Sequence, residues 1–415
     1  MRQMKDSGAK WIGKIPSTWQ SDKLKYHLRR KEPKNPGDMT VLSLYRELGI
    51  IPKDSRDDNH NQTSEDTSKY KYVKPGNFVV NKMKAWQGSV AVSDYEGIVS
   101  PAYYVYEFTD KSFDKRYFHH LLRGCYKDEF MRLSGGMRVG QWDLSSEDLD
   151  NTLIVIPPLD EQKKIAEFLD TKCSEIDALI TDIQAQIETL EQYKRSTVIE
   201  TVTKGLNQNA AMKDSGIQWI GKIPENWDCV RGKYILKYIS KPVRDDDGVI
   251  TCFRDGEVTL RSKRREEGFT MADKEIGYQG IDIGDLVVHG MDGFAGAIGI
   301  SDSRGKASPV LNVLETKQNK RYIMYFLRSM AYGDVFLALA TGIRVRSCDL
   351  RWNKLAELFY PIPPMEEQAD IVNHIDRVIE ETNEIIADKK EQITTLEAYK
   401  KSIIFEYVTG KKEIE

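Results

Sequence analysis

Two short stretches of this 415-residue chain place cations, amides and indole rings within a few residues of one another. The first runs Asn81-Lys82-Met83-Lys84-Ala85-Trp86-Gln87-Gly88, the second Gly135-Gly136-Met137-Arg138-Val139-Gly140-Gln141-Trp142. Lys82, Lys84, Trp86, Arg138, Gln141 and Trp142 are the candidate contact residues. Arginine bonds bidentately to guanine, glutamine to adenine, and any cation reaches phosphate. Two later stretches occupy matching places with different side chains: His289-Gly290-Met291-Asp292-Gly293-Phe294-Ala295-Gly296 and Gly342-Ile343-Arg344-Val345-Arg346-Ser347. There His289, Arg344, Arg346 and Ser347 are the candidates. An arginine at the same place in both (Arg138, Arg344) fits a phosphate anchor, and neighbours that differ fit base reading. Each stretch alone reads more readily as an ordinary solvated turn, and the matched recurrence is what argues for a contact surface. The run Arg261-Ser262-Lys263-Arg264-Arg265 is a plausible phosphate contact, with Glu266 and Glu267 beside it favouring a plain solvated surface to the same degree.

No catalytic pattern accompanies these loops. The Pro-Pro pairs lie in Ile-Pro-Pro-Leu and Ile-Pro-Pro-Met, not in the Asp/Asn-Pro-Pro-aromatic form of an adenine methyltransferase. Gly305-Lys306-Ala307 ends in alanine where a phosphate-binding loop needs a hydroxyl for magnesium. Five cysteines without a Cys-x-x-Cys pair and six scattered histidines give no metal cluster and point to reduced thiols. No apolar run is long enough to span a bilayer, and the first ten residues lack the apolar core of a signal peptide. The expectation is a cytoplasmic protein.

The elements that position the loops are written twice. Met4 to Gln20 (MKDSGAKWIGKIPSTWQ) and Met212 to Asp228 (MKDSGIQWIGKIPENWD) agree at 12 of 17 positions at an offset of 208. Ile156 to Gln162 (IPPLDEQ within it) pairs with Ile362 to Gln368, and Leu190 to Lys194 with Leu396 to Lys400. Between these matching ends each copy diverges, which fits one scaffold presenting two surfaces. Relaxed drift of the middle is the plainer alternative. Strands are expected over 77–83, 89–92 and 102–108 and a helix over 113–133. The second copy repeats them at 286–291, 297–300, 311–314 and about 320–340.

Each copy closes in a long helix. From Leu159 to about Lys204 the chain has neither proline nor glycine, directly after Pro157-Pro158. Leu169, Cys173, Ile176, Ile180, Ile183, Ile187 and Leu190 step by four and three, the seam of a coiled coil. Ile375, Ile379, Ile386, Ile393 and Leu396 repeat it, with Thr382 and Lys389 as polar interruptions. The two stripes are expected to pack on each other, antiparallel orientation being favoured. Charge separates the parts. Residues 21–155 carry net +1 and 229–361 net +4, whereas 159–205 carry −4 and 365–415 −6, within a total of −3. Any DNA contact therefore belongs to the divergent regions.

The doubled frame resembles the specificity subunit of type I restriction–modification systems. Trp11 to Trp19 and Trp219 to Trp227 carry Trp-Ile-Gly-x-Ile-Pro-x-x-Trp; Ile156 to Gln162 and Ile362 to Gln368 carry Ile-Pro-Pro-x-x-Glu-Gln. The expected fold is α+β: two tandem mixed α/β target recognition domains, each followed by a long helix, the helices forming an antiparallel coiled coil with pseudo-two-fold symmetry. Domains are expected at 1–155 and 207–361, helical spacers at 156–206 and 362–415. The resemblance implies a non-catalytic chain that recognises a bipartite, gapped site in double-stranded DNA. It also implies two methyltransferase subunits as partners, which bring S-adenosylmethionine, and in some systems nuclease-motor subunits. No cofactor is expected in the chain itself. Two other classes stand beside this reading: a standalone DNA-modifying or cleaving enzyme, and a coiled-coil scaffold for proteins.

Overall fold

The computed structural model describes residues 2–45, 48–55, 63–64, 66–136, 142–264, 276–339 and 350–414. The chain forms two compact units, each of mixed α/β structure. Unit 1 joins Met1–Ile183 to Glu391–Glu415, and unit 2 is Gln184–Lys390.

In unit 1, strands β1 (Leu28–Lys31), β2 (Phe78–Asn81), β3 (Val90–Val92) and β4 (Tyr103–Phe108) form an antiparallel sheet in the order β1-β4-β2-β3. All four residues of β2 are buried, because the sheet is covered on both faces. Phe78 and Val80 join the larger core, and Val79 meets Leu42, Ile50 and Val105 in a smaller one. Helix α1 (Lys115–Cys125) follows, capped by Asp114, whose carboxylate accepts the amides of Arg116 and Tyr117. The segment expected as one helix divides at Tyr126, and a second helix covers Lys127–Leu133. The Tyr126 ring is fully buried and packs on Trp11 and Phe130, which fixes the break.

Unit 2 repeats the design. Strands β5 (Leu236–Ile239), β6 (Leu286–His289), β7 (Ile298–Ile300) and β8 (Leu311–Thr316) are ordered β5-β8-β6-β7. Helix α3 (Lys320–Tyr332) is capped by the Asn319 side chain and stops at Gly333. Asp334, at φ 55, then turns the chain through the left-handed region, so the helix expected to about 340 is interrupted. Leu286, Val288, Phe326 and Trp227 share the main core, and Val287 joins the smaller one.

The two long helices are α2 (Leu159–Lys204), which lies between α1 and α3 in the chain, and α4 (Met365–Val408). Each contributes a segment to both units. In unit 1 the Phe168 and Tyr407 rings lie 4.5 Å apart, and Lys400 Nζ donates to the Asp177 carboxylate at 2.6 Å. In unit 2 Lys389 Nζ donates to Gln186 Oε1 at 2.5 Å and Lys194 Nζ to Asn383 Oδ1 at 3.0 Å. Within either unit, advancing along α2 means retreating along α4. Leu169, Ile176, Ile375 and Ile386 are buried, while Ile180, Ile183, Ile187, Leu190, Ile379, Ile393 and Leu396 are half-buried. Thr382 keeps the stripe dry at 3% exposure, and Lys389 turns its ammonium to Gln186.

The glutamine ending each Ile-Pro-Pro motif has a defined task. Gln162, wholly buried, donates from Nε2 to the carbonyls of Pro157 and Ser112 and accepts the Asp114 amide on Oε1 at 2.9 Å. Gln368 does the same with Pro363 and the Asn319 amide. It stitches the start of the long helix to the cap of the domain helix. Gln162→Ala removes the partner of three backbone groups, the Pro157 carbonyl buried and those of Ser112 and Asp114 half-buried, an expected loss of about 1–3 kcal/mol. Denaturant unfolding should show the midpoint fall, and an unchanged midpoint would refute this role.

Candidate nucleic-acid interface

The loop after β2 in unit 1 is a tight 3₁₀ turn, Ala85–Gln87, closed by Gly88 at φ +88. The later stretch is drawn against it: the Leu144 amide donates to the Lys82 carbonyl at 3.0 Å, and Gly135 and Asp143 exchange amide–carbonyl bonds at 3.0 and 3.1 Å. The described ends of the second stretch, Gly135 and Trp142, thus lie beside the first. The rings of Trp86 and Trp142 meet edge to face at 5.7 Å, and Lys82 Nζ lies 3.4 Å from the Asp143 carboxylate. Lys84 is exposed. Arg138 and Gln141 lie outside the described residues.

Unit 2 has the corresponding backbone bond, from the Leu350 amide to the Gly290 carbonyl at 2.8 Å. Asn312 Nδ2 reinforces it by donating to the carbonyls of Val288 and Leu350 at 3.2 and 3.1 Å. A glycine is required at 290, since a Cβ there would come within 2.9 Å of the Val310 carbonyl. The turn again ends in a left-handed glycine, Gly296 at φ +97. Arg344, Arg346 and Ser347 lie outside the described residues.

His289 is built into the turn. Its Nδ1 accepts the amides of Met291 at 3.2 Å and Asp292 at 2.9 Å. Burial pushes the ring's pKa down, with Asp292 opposing and Arg254 assisting, so the ring is neutral at pH 7 and able to accept. Asn81 fills the same office in unit 1, its Oδ1 accepting the Met83 amide at 3.2 Å.

Sequence reading missed other cations at these surfaces. Arg30 on the edge strand β1 lies 5.3 Å from the centre of the Tyr104 ring, with Lys71 Nζ at 6.0 Å, and the Tyr104 hydroxyl donates to the Leu144 carbonyl at 3.2 Å. The run Arg29-Arg30-Lys31 was the available signal, but charge on an edge strand also serves to block pairing. In unit 2 Arg254 pairs with Asp292 at 2.9 Å. Within the basic run, Lys263 faces Asp302 at 3.4 Å and Arg264 binds Asp255 and Glu257, and Arg265 lies outside the described residues. Among the described residues no cluster of His, Cys, Asp and Glu could hold a metal ion, and no helix is long and apolar enough to cross a membrane.

A family model described as the type I restriction modification DNA specificity domain matches residues 27–189, which span β1 to β4, α1 and the first part of α2. Similar proteins carry the same assignment over most of the chain. The type I restriction enzyme MjaVIII specificity subunit of Methanocaldococcus jannaschii is 28% identical over 373 residues, covering 83% of each chain. The EcoBI specificity subunit of Escherichia coli is 26% identical over 295 residues, 66% of this chain and 60% of that one. Residues 27–189 thus match a type I specificity domain, and the relatives similar along most of the chain are type I specificity subunits. Solved structures share its fold. One from a study of complex assembly and conformational transition of the type I R-M system has a TM-score of 0.69 at 15% identity, covering 96% of this chain and 99% of that one. The HsdS subunit of Thermoanaerobacter tengcongensis has 0.53 at 15% identity, covering 96% and 98%.

His289 separates turn chemistry from base reading. His289→Asn restores the acceptor that Asn81 provides and should leave the bound DNA sequence unchanged, while His289→Ala should weaken binding several-fold. Binding to duplexes varied at each base of a bound sequence checks this, and an altered base preference in His289→Asn would make the ring a reader.

Proposed function

We propose that this chain is a specificity subunit that recognises a bipartite, gapped sequence in double-stranded DNA, one half through each α/β domain, and delivers partner adenine methyltransferase subunits to it. In this reading the domains are 1–155 and 207–361 and the helical spacers 156–206 and 362–415. One observation carries the reading. In both units the chain is bonded to the turn after the same strand by an equivalent backbone bond, Leu144 to Lys82 and Leu350 to Gly290, while the side chains of the two turns differ. A shared frame with exchanged polar groups is what two readers of unlike half-sites require.

The long helices act as an antiparallel coiled coil that fixes the gap between half-sites. The reversed pairing of Phe168 with Tyr407 and Asp177 with Lys400, and of Gln186 with Lys389, supports this. Two methyltransferase subunits bring S-adenosylmethionine and act on adenine in each half-site, and nuclease-motor subunits join where the system cleaves. The specificity subunit itself holds no cofactor in this scheme.

Mapping methylated adenine in host DNA with and without the gene tests the role. A gapped, two-part motif should vanish on deletion; unchanged methylation in a host whose partner methyltransferase is expressed would refute it. Inserting one heptad after Ile183 and another after Lys389 keeps the seam in phase and adds about 10.5 Å. The gap should widen by about three base pairs with both half-sites unchanged. Altered half-sites would refute the spacer role.

A further inference from the structure

The turns at 81–88 and 289–296 differ at nearly every polar place: Lys82 against Gly290, Lys84 against Asp292, Gln87 against Ala295. Met83 and Met291 are the same. A shared apolar residue ordinarily serves a core, yet these side chains are 39% and 51% exposed, and neither belongs to a hydrophobic cluster of its unit. Their backbone, by contrast, is held. The Met83 amide donates to Asn81 Oδ1 at 3.2 Å and its carbonyl accepts from Trp86 Nε1 at 3.1 Å; the Met291 amide donates to His289 Nδ1 at 3.2 Å. Asn81 and His289 differ chemically but accept the same amide. The fold thus spends two different side chains to fix one outcome, a rigid turn that presents methionine to solvent.

We propose that Met83 and Met291 are apolar contact residues for the base stack of duplex DNA, one at each half-site, pressing a flexible thioether against a base step between the polar groups that read sequence. The inference rests on the DNA-recognition reading given above and adds residues to it. Apolar side chains, methionine among them, are used as wedges against base steps, and such contact tolerates many sequences. That tolerance explains why the residue is common to two domains whose polar neighbours differ. A protein partner presented to both domains would meet unlike rims, Lys82 and Lys84 around one methionine and Gly290 and Asp292 around the other. DNA, whose two half-sites are themselves unlike, fits that asymmetry.

The test uses the complex assembled with its methyltransferase partner and a labelled duplex carrying both half-sites, titrated over a series of salt concentrations. Met83→Ala and Met291→Ala should each weaken binding about tenfold, as expected for losing a buried methionine contact. The slope of log affinity against log salt should stay unchanged, because no phosphate contact is lost. Met83→Leu should retain affinity, Met83→Gln should lose it as alanine does, and Lys84→Ala should flatten the slope by about one if that lysine meets a phosphate. Scrambling the half-site that Met83 serves should abolish the effect of Met83→Ala and spare that of Met291→Ala. Wild-type affinity in both alanine variants, or losses accompanied by a changed slope, would overturn the inference while leaving recognition intact. A wild-type complex that holds target and scrambled duplexes equally would overturn the recognition reading, and this inference with it. Matching thermal melts of variants and wild type confirm that the fold is unaffected.

Discussion

A buried tyrosine hydroxyl at the end of a long helix closes each unit. Tyr117 donates to the Val408 carbonyl at 3.0 Å; the Tyr322 hydroxyl lies 3.2 Å from the Val202 carbonyl and 2.7 Å from that of Pro361. Carbonyls in the last turn of a helix have no intrahelical donor, so burying that end demands one from elsewhere. Both tyrosines are fully buried, and burial drives their pKa well above the usual value, which keeps the proton in place. The glycine that follows completes the joint. Gly410 and Gly205 turn left-handed beneath Trp19 and Trp227, where an added Cβ would come within 3.0 and 3.1 Å of the indoles. This is the physical content of the tryptophan that ends each opening motif.

The helix ends gripped in this way come from the other copy of the repeat. Tyr117 belongs to the first copy and Val408 to the second; Tyr322 belongs to the second and Val202 to the first. Each domain also holds the beginning of its own helix, through Gln162 with Arg116–Asp170 in one unit and Gln368 with Arg321–Asp376 in the other. A domain therefore needs one helix start and one helix end, and the duplicated frame supplies both to each. The matched opening and closing motifs are preserved across the copies because they make these joints. The turns at 81–88 and 289–296 take no part in them and are left to differ.

Much of this was legible in the sequence. The first long helix was read from Leu159 to Lys204 because Pro157-Pro158 and Gly205 punctuate it. Three strands of each four-stranded sheet were legible to within one or two residues, their Val and Phe runs being bounded by turn residues, whereas the edge strands Leu28–Lys31 and Leu236–Ile239 were not. Less legible were the helix breaks at Tyr126 and Asp334, which depend on ring packing and on one left-handed residue. The Lys-Arg-Tyr tripeptides at 115–117 and 320–322 escaped notice because their offset is 205 rather than 208, the loop between having shortened. Arg30 and Tyr104 are far apart in sequence and meet through strand pairing. At the site, the two loops were found by composition, but their joining by Leu144 and Leu350 is a matter of tertiary placement. His289 was read as a contact residue from its type alone, and its place in the turn emerges from the backbone.

The central claim is that the frame is common and each domain reads independently through its own loops. Exchanging residues 21–155 for the corresponding segment of a related specificity subunit, and mapping the methylated motif that results, tests this most directly. The account predicts one new half-site, with the other half-site and the gap retained. A motif changed in both halves would contradict it.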